Sequence, residues 1–150
     1  MTIVAPVGGG GLVAGLALWA SGHPDVRVVG VEAEASRAVS AAIAAGRVVE
    51  LPVRPTIADG LVGNIEPNSI TPSIIGAHVD AIVAVSEAQI RQAMRFLASR
   101  HGLLVEASAA VGVAALHAGI VDVVGRPVCV VTGRNIALST AAQVLADDEP

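Results

Sequence analysis

At 150 residues the chain is long enough for one domain, a size that buries roughly 70% of the surface its unfolded form exposes. The composition is apolar and poor in charge, dominated by Ala, Val, Gly and Ile, with one Trp, one Phe and no Tyr. Net charge is −4 and all nine cations are scattered arginines, which gives no support to binding of nucleic acid or an acidic membrane surface; the single Cys129 excludes an internal disulfide and fits a reducing, cytoplasmic compartment.

Residues 1–22 carry no charged side chain, a length that imitates a membrane span. Pro6 and four consecutive glycines interrupt it and no basic flank precedes it, so it reads instead as a buried strand over 2–5, a loop, and a helix over 12–20 ended by Ser21-Gly22 and Pro24. A second strand covers 27–32, and an alanine-rich helix over 35–46 stops at Gly46. Residues 51–73 are rich in Pro, Gly, Asn and Thr and read mostly as loop, with a short helix near "SITPSIIGAH".

A strand over 81–86 leads into the most clearly patterned helix. Ser86 and Gln89 have capping-box spacing, Glu87 suits the first turn, Ile90, Ala93, Met94 and Leu97 share one face, and Gly102 ends it. Residues 107–119 are apolar on every side, which predicts a helix buried in a larger body or under a partner. A last strand over 127–132, a "GRN" turn, a helix capped by Ser139 and a solvated "DDEP" tail complete the chain. Strands alternating with helices predict an α/β fold: a small, mostly parallel, doubly wound sheet with helices on both faces.

The run Gly8, Gly9, Gly10, Gly11 lies between strand and helix. Bare backbone amides there, with the positive end of the helix dipole, cradle a phosphate without a cationic side chain; a tight crossover alone would need only one or two glycines. The phosphate-binding loop of nucleotide hydrolases is excluded because no lysine follows. Gly9, Gly11 and Ala14 do match G-x-G-x-x-A, with Glu32 about 20 residues on, so a dinucleotide- or phosphate-binding module stays open at this point.

Six segments in order, "APVGGGGLVAG", "VVGVEAEAS", "TIADGL", "VSEAQIRQAM", "EASAAVGVAAL" and "VVTGRN", resemble the C-terminal part of the fold-type II pyridoxal-phosphate enzymes of the threonine/serine dehydratase and serine racemase group. The resemblance covers nearly all of the chain. It implies a partial fold-type II large domain in which Gly8, Gly9, Gly10, Gly11 and the amide of Leu12 cradle the phosphate of pyridoxal 5'-phosphate, while Thr132 offers a hydroxyl to the pyridine nitrogen. It also implies that "TIADGL" lies near the cofactor; a turn set by Asp59-Gly60 explains those residues equally well.

Two positions depart from the group's pattern. Arg134 stands in "TGRN" where "SGGN" is common, and no role is assigned to it. Glu32 resembles a carboxylate of a divalent-cation site found in some members, yet Ser36 and Ala38 follow where an acid would be needed, so no metal is expected. By the same resemblance, catalysis needs a lysine that forms a Schiff base with the cofactor, and the 150 residues contain none. Arginine cannot replace it, being protonated at any usable pH.

The expectation is therefore a chain with part of a cofactor site and no catalytic residue of its own, inactive alone. An amino acid is the implied substrate of the intact enzyme. A separately encoded N-terminal half or further copies of the chain are the candidate partners. His23, His78, His101 and His117 lack partner motifs and read as packing residues; Glu106 reads as a helix-start acid or a neighbour of the cofactor ring.

Overall fold

The computed structural model describes residues 1–146; the tail expected to be solvated, residues 147–150, lies outside them. Strands β1 (Thr2–Pro6), β2 (Arg27–Ala33), β3 (Ala81–Val85) and β4 (Pro127–Cys129) form one sheet in the order β3-β2-β1-β4, and every pair is parallel. Among the described residues the helices are α1 (Gly11–Ala20), α2 (Ala38–Ala45), α3 (Thr71–His78), α4 (Glu87–His101), α5 (Ala107–His117) and α6 (Leu138–Ala146). The doubly wound α/β architecture is the expected one.

Alternation along the strands feeds two cores. Val4, Val29 and Val31 pack with α4, α5 and the buried Val144 of α6, while Ile3, Ala5 and Val28 pack with α1, α2 and α3. Both faces of the central strands are thereby covered, which is why β1 and β2 are nearly unbroken apolar runs. The chain winds outward from β1 to β3, then returns to the other flank of β1 for β4. That reversal opens a crevice at the carboxyl ends of β1 and β4.

Several boundaries differ from expectation. The second helix begins at Ala38, not residue 35, because Ser36 turns back to bridge Ala33. β4 stops at Cys129 rather than 132; it is an edge strand with one neighbour, and only Val130, donating to the Val4 carbonyl at 2.9 Å, extends the pairing. Ser139 is not a cap: α6 starts at Leu138 and the Ala137 carbonyl accepts from Ala141, so Ser139 sits inside the first turn.

Helix α5 is buried as its composition predicts, but this chain supplies the cover. Every residue from Ala107 to Ala115 is buried between α4 and the sheet. Uncovered apolar side chains lie elsewhere, among them Leu12, Leu18 and Trp19 on α1, which carries no charged residue, and Ile70, Val124, Val128 and Leu138. No described helix is long and apolar enough to cross a membrane. Burial pushes the Cys129 thiol up to about 11, which keeps it protonated and unreactive at neutral pH.

Helix α4 has the capping box foreseen in its sequence: the Ser86 hydroxyl accepts from the Gln89 amide at 3.3 Å, and the Gln89 side chain accepts from the Ser86 amide at 2.8 Å. Its apolar face, Ile90, Ala93, Met94 and Leu97, is buried as predicted. Ser86→Ala should cost about 1 kcal/mol and lower the urea midpoint accordingly, with Ser86→Asp, which retains a cap acceptor, close to the parent chain.

Candidate functional site

β1 ends at Pro6 and α1 starts at Gly11, so the glycine run bridges the carboxyl edge of the sheet to a helix start. Gly10 is the N-cap of α1 at φ 85°, a left-handed conformation that costs other residues roughly 1–2 kcal/mol. A Cβ there would also sit 2.6 Å from Ile75 Cδ1. At Gly8 a Cβ would lie 3.2 Å from the Gly60 carbonyl oxygen, whereas at Gly9 and Gly11 it would meet nothing within 4 Å. Two glycines therefore build the loop and two keep its outer surface bare. The backbone N–H groups of Gly8 to Leu12 have no acceptor among the described residues. Unshielded amides at the positive end of α1 fit the chemistry of a phosphoryl group.

The loop is braced from three helix starts. Thr71, at the start of α3, donates its hydroxyl to the Gly9 carbonyl at 2.6 Å. Residues 56–61 pack under Gly8 and are themselves anchored: the Ser108 hydroxyl of α5 accepts from the Gly60 amide at 2.9 Å, and the Glu87 carboxylate of α4 accepts from the Thr56 hydroxyl at 2.7 Å and the Ile57 amide at 3.1 Å. The segment "TIADGL" is thus both a turn, with a 3-10 stretch at Asp59–Leu61, and a neighbour of the glycine loop. Sequence reasoning missed Thr71 and Ser108; Thr71-Pro72 at a helix start is the one local signal, and Ser108 is hidden in an apolar run. Cavities of about 430 and 500 Å³ lie to one side, sharing Arg47, Val48 and Pro67, and no glycine-loop residue lines them.

Thr132 stands beyond the carboxyl end of β4, exposed, on the same edge as the loop that follows the neighbouring β1. Its hydroxyl has no partner among the described residues. Arg134 is exposed. Glu106 is the N-cap residue of α5, yet its carboxylate does not cap that helix; it accepts from the Asn135 amide at 2.9 Å.

Residues 1–133 match the model of the pyridoxal-phosphate dependent enzyme family. The chain belongs to that family. It is 40% identical over 145 residues to the L-threonine ammonia-lyase of Geobacter sulfurreducens, covering 95% of this chain and 36% of that one. It is 35% identical over 115 residues to the serine racemase of Arabidopsis thaliana, covering 76% of this chain and 34% of that one. Among solved structures it superimposes with a TM-score of 0.85 on the processed form of threonine deaminase isoform 2 from Solanum lycopersicum, 27% identical, covering 97% of this chain and 44% of that one. The chain therefore spans well under half the length of these relatives.

Within this pyridoxal-phosphate dependent family member, both carboxylate oxygens of Glu32 are engaged by α2. Glu32 is 1% exposed, and its carboxylate accepts from the Val39 amide at 2.9 Å, the Ser40 amide at 3.3 Å and the Ser40 hydroxyl. It caps α2 from the preceding strand, satisfying amides that α2 leaves open. No described cluster of His, Cys, Asp and Glu could hold a metal ion. Three of the histidines pack as expected: His23 stacks on Trp19 at 4.1 Å between ring centroids, and His101 and His117 flank Phe96 at 5.1 and 4.1 Å.

Burial pushes the Glu32 carboxyl above its ordinary value of 4.5, and the hydrogen bonds from Ser40 and Val39 only partly offset this. Folding therefore takes up a proton at this site, whose contribution is full below the unfolded value and is lost as pH rises through the folded one. Glu32→Gln keeps an acceptor for the Val39 amide and a donor for the Ser40 hydroxyl. Its urea midpoint should gain on that of the parent chain as pH rises above the ordinary carboxylate range. Glu32→Ala should lose about 1–3 kcal/mol at every pH, since two amides lose their acceptor.

Proposed function

We propose that the 150 residues are one domain, the C-terminal part of a threonine/serine dehydratase-type lyase, holding the phosphate of pyridoxal 5'-phosphate and lacking catalytic activity alone. The observation that carries the reading is the pairing of a bare, braced glycine loop with a free hydroxyl on one sheet edge, at the point where the winding reverses. In this reading the amides of Gly8, Gly9, Gly10, Gly11 and Leu12 hold the phosphate. Thr132 donates a hydrogen bond to the pyridine nitrogen without protonating it. Bound there, the cofactor supplies an electron sink for cleaving bonds at the α-carbon of an amino acid, with β-elimination and deamination of threonine or serine as the outcome.

What these residues supply is position. No lysine is present to carry the cofactor covalently or to move a proton at the α-carbon. The Met1 amine cannot stand in, because it donates to the Asp25 carbonyl at the amino-terminal edge of the sheet, remote from the loop. A lysine-bearing polypeptide completes the site, and the uncharged outward face of α1 with Leu12, Leu18 and Trp19 is a surface suited to receive it. The single, unpaired Cys129 fits a cytoplasmic setting.

Titration with inorganic phosphate and with pyridoxal phosphate tests the loop. Millimolar affinity, roughly −4 kcal/mol, is expected when one wall of a site is present. Gly9→Ala should weaken both ligands with stability unchanged, because its Cβ projects into open space. Gly10→Ala should lower stability by about 1–3 kcal/mol, through its backbone conformation and the contact with Ile75. Borohydride reduction in the presence of pyridoxal phosphate should leave no stoichiometric label and no turnover of serine or threonine, both appearing when a lysine-bearing half is added. A labelled residue with turnover by the 150 residues alone would overturn the reading.

A further inference from the structure

The turn that carries Thr132 packs Ile136 against the core and is hydrogen-bonded to the fold through one residue. The Glu106 carboxylate accepts from the Asn135 amide at 2.9 Å, and the Glu106 amide donates to the Gly133 carbonyl at 3.3 Å. Gly133 passes so close that a Cβ on it would lie 2.4 Å from Glu106 Oε1 and 2.8 Å from Cδ. The other backbone bond within residues 131–136 is local, from the Ile136 amide to the Arg134 carbonyl at 2.9 Å. Both hydrogen bonds from this turn to the rest of the described chain are therefore made by Glu106. It stands at the head of α5, whose first nine residues are buried, so the turn is referred to the most deeply packed helix of the molecule.

A carboxylate at a helix start ordinarily satisfies that helix's own amides. Here the side chain reaches the neighbouring turn instead, and a Cβ on Gly133 would displace the carboxylate from its present position. We propose that Glu106 is a positioning residue that fixes the distance between the Thr132 hydroxyl and the glycine loop. The inference rests on the reading of Thr132 and the loop as two ends of one site. A rigid ligand with a phosphate at one end and a ring nitrogen at the other is held at both ends only if that distance is set. A lone phosphate is indifferent to it. Glu106 itself touches neither end.

The experiment compares Glu106→Ala and Glu106→Gln in the whole 150-residue chain, with inorganic phosphate and pyridoxal phosphate as separate probes and amide exchange at Asn135 followed by NMR. Glu106→Ala should leave inorganic phosphate affinity within about twofold, weaken pyridoxal phosphate about tenfold and speed Asn135 exchange about tenfold. Glu106→Gln retains an acceptor for the Asn135 amide and should return all three towards the parent. In a Thr132→Val background, Glu106→Ala should produce no further loss of pyridoxal phosphate affinity. Equal loss for both probes, or a pyridoxal phosphate loss that persists without the Thr132 hydroxyl, would overturn the positioning role. If the parent chain binds neither probe, the reading of the site fails separately. The clamp is then judged on Asn135 exchange, and an unchanged rate in Glu106→Ala sinks it.

Discussion

Because β1 pairs in parallel with β2 on one flank and β4 on the other, the carboxyl ends of all three open onto the same edge, and the winding reverses at β1. Everything chemical in the chain follows from that placement. The glycine loop is the continuation of the central strand, and the Thr132 turn is the continuation of its neighbour. Had β4 been antiparallel, the hydroxyl and the bare amides would lie at opposite ends of the sheet. Register matters as much as direction: Val4 opposite Cys129 leaves a similar length of chain beyond each strand before loop and turn begin.

Around this edge the starts of α1, α3, α4 and α5 converge, and their polar side chains serve one another's loops. Thr71 holds Gly9, Glu87 holds Thr56 and Ile57, Ser108 holds Gly60, and Glu106 holds Asn135. Such cross-bracing gives the region its defined geometry mainly through hydrogen bonds between side chains and neighbouring loops. Thr71 and Ser108 supply neutral hydrogen bonds worth on the order of 1 kcal/mol each, and the carboxylates of Glu87 and Glu106 supply charge-assisted ones worth roughly 1.5–3 kcal/mol. The glycine loop contributes the complement, a backbone with no side chain of its own to obstruct an anion.

What could be read in advance depended on how local the cause is. The capping box at Ser86 and Gln89, the glycine stops at Gly46 and Gly102 and the apolar face of α4 all arise within a few residues, and all were legible. So was the glycine run, since no regular element tolerates four glycines. Thr71 and Ser108 were not, and Glu106, legible as an acid at a helix start, gave no sign of its partner, because these partners lie 62, 48 and 29 residues away. The short β4 escaped for the same reason: its apolar sequence allows a longer strand, and the turn held by Glu106 ends it. The apolar helix α5 was correctly read as buried, but composition alone does not reveal whose surface buries it. Nor did it foretell that α1 would be the exposed one.

The pairing of β1 with β4 also orders events in time. The Thr2 hydroxyl bonds the carbonyl of Val124, 122 residues later, so β1 waits for a partner made much later. Contacts so distant in sequence form late, after the loop-closure entropy between them has been overcome. Throughout synthesis, the outer edge of the central strand and the uncharged helix that follows it remain open to whatever else is nearby. At roughly 5–20 residues per second that interval lasts many seconds. A nascent chain with this topology presents an unpaired strand edge to the crowded cell, and chaperone binding or premature association with another copy competes with its own C-terminal strand for the same backbone groups.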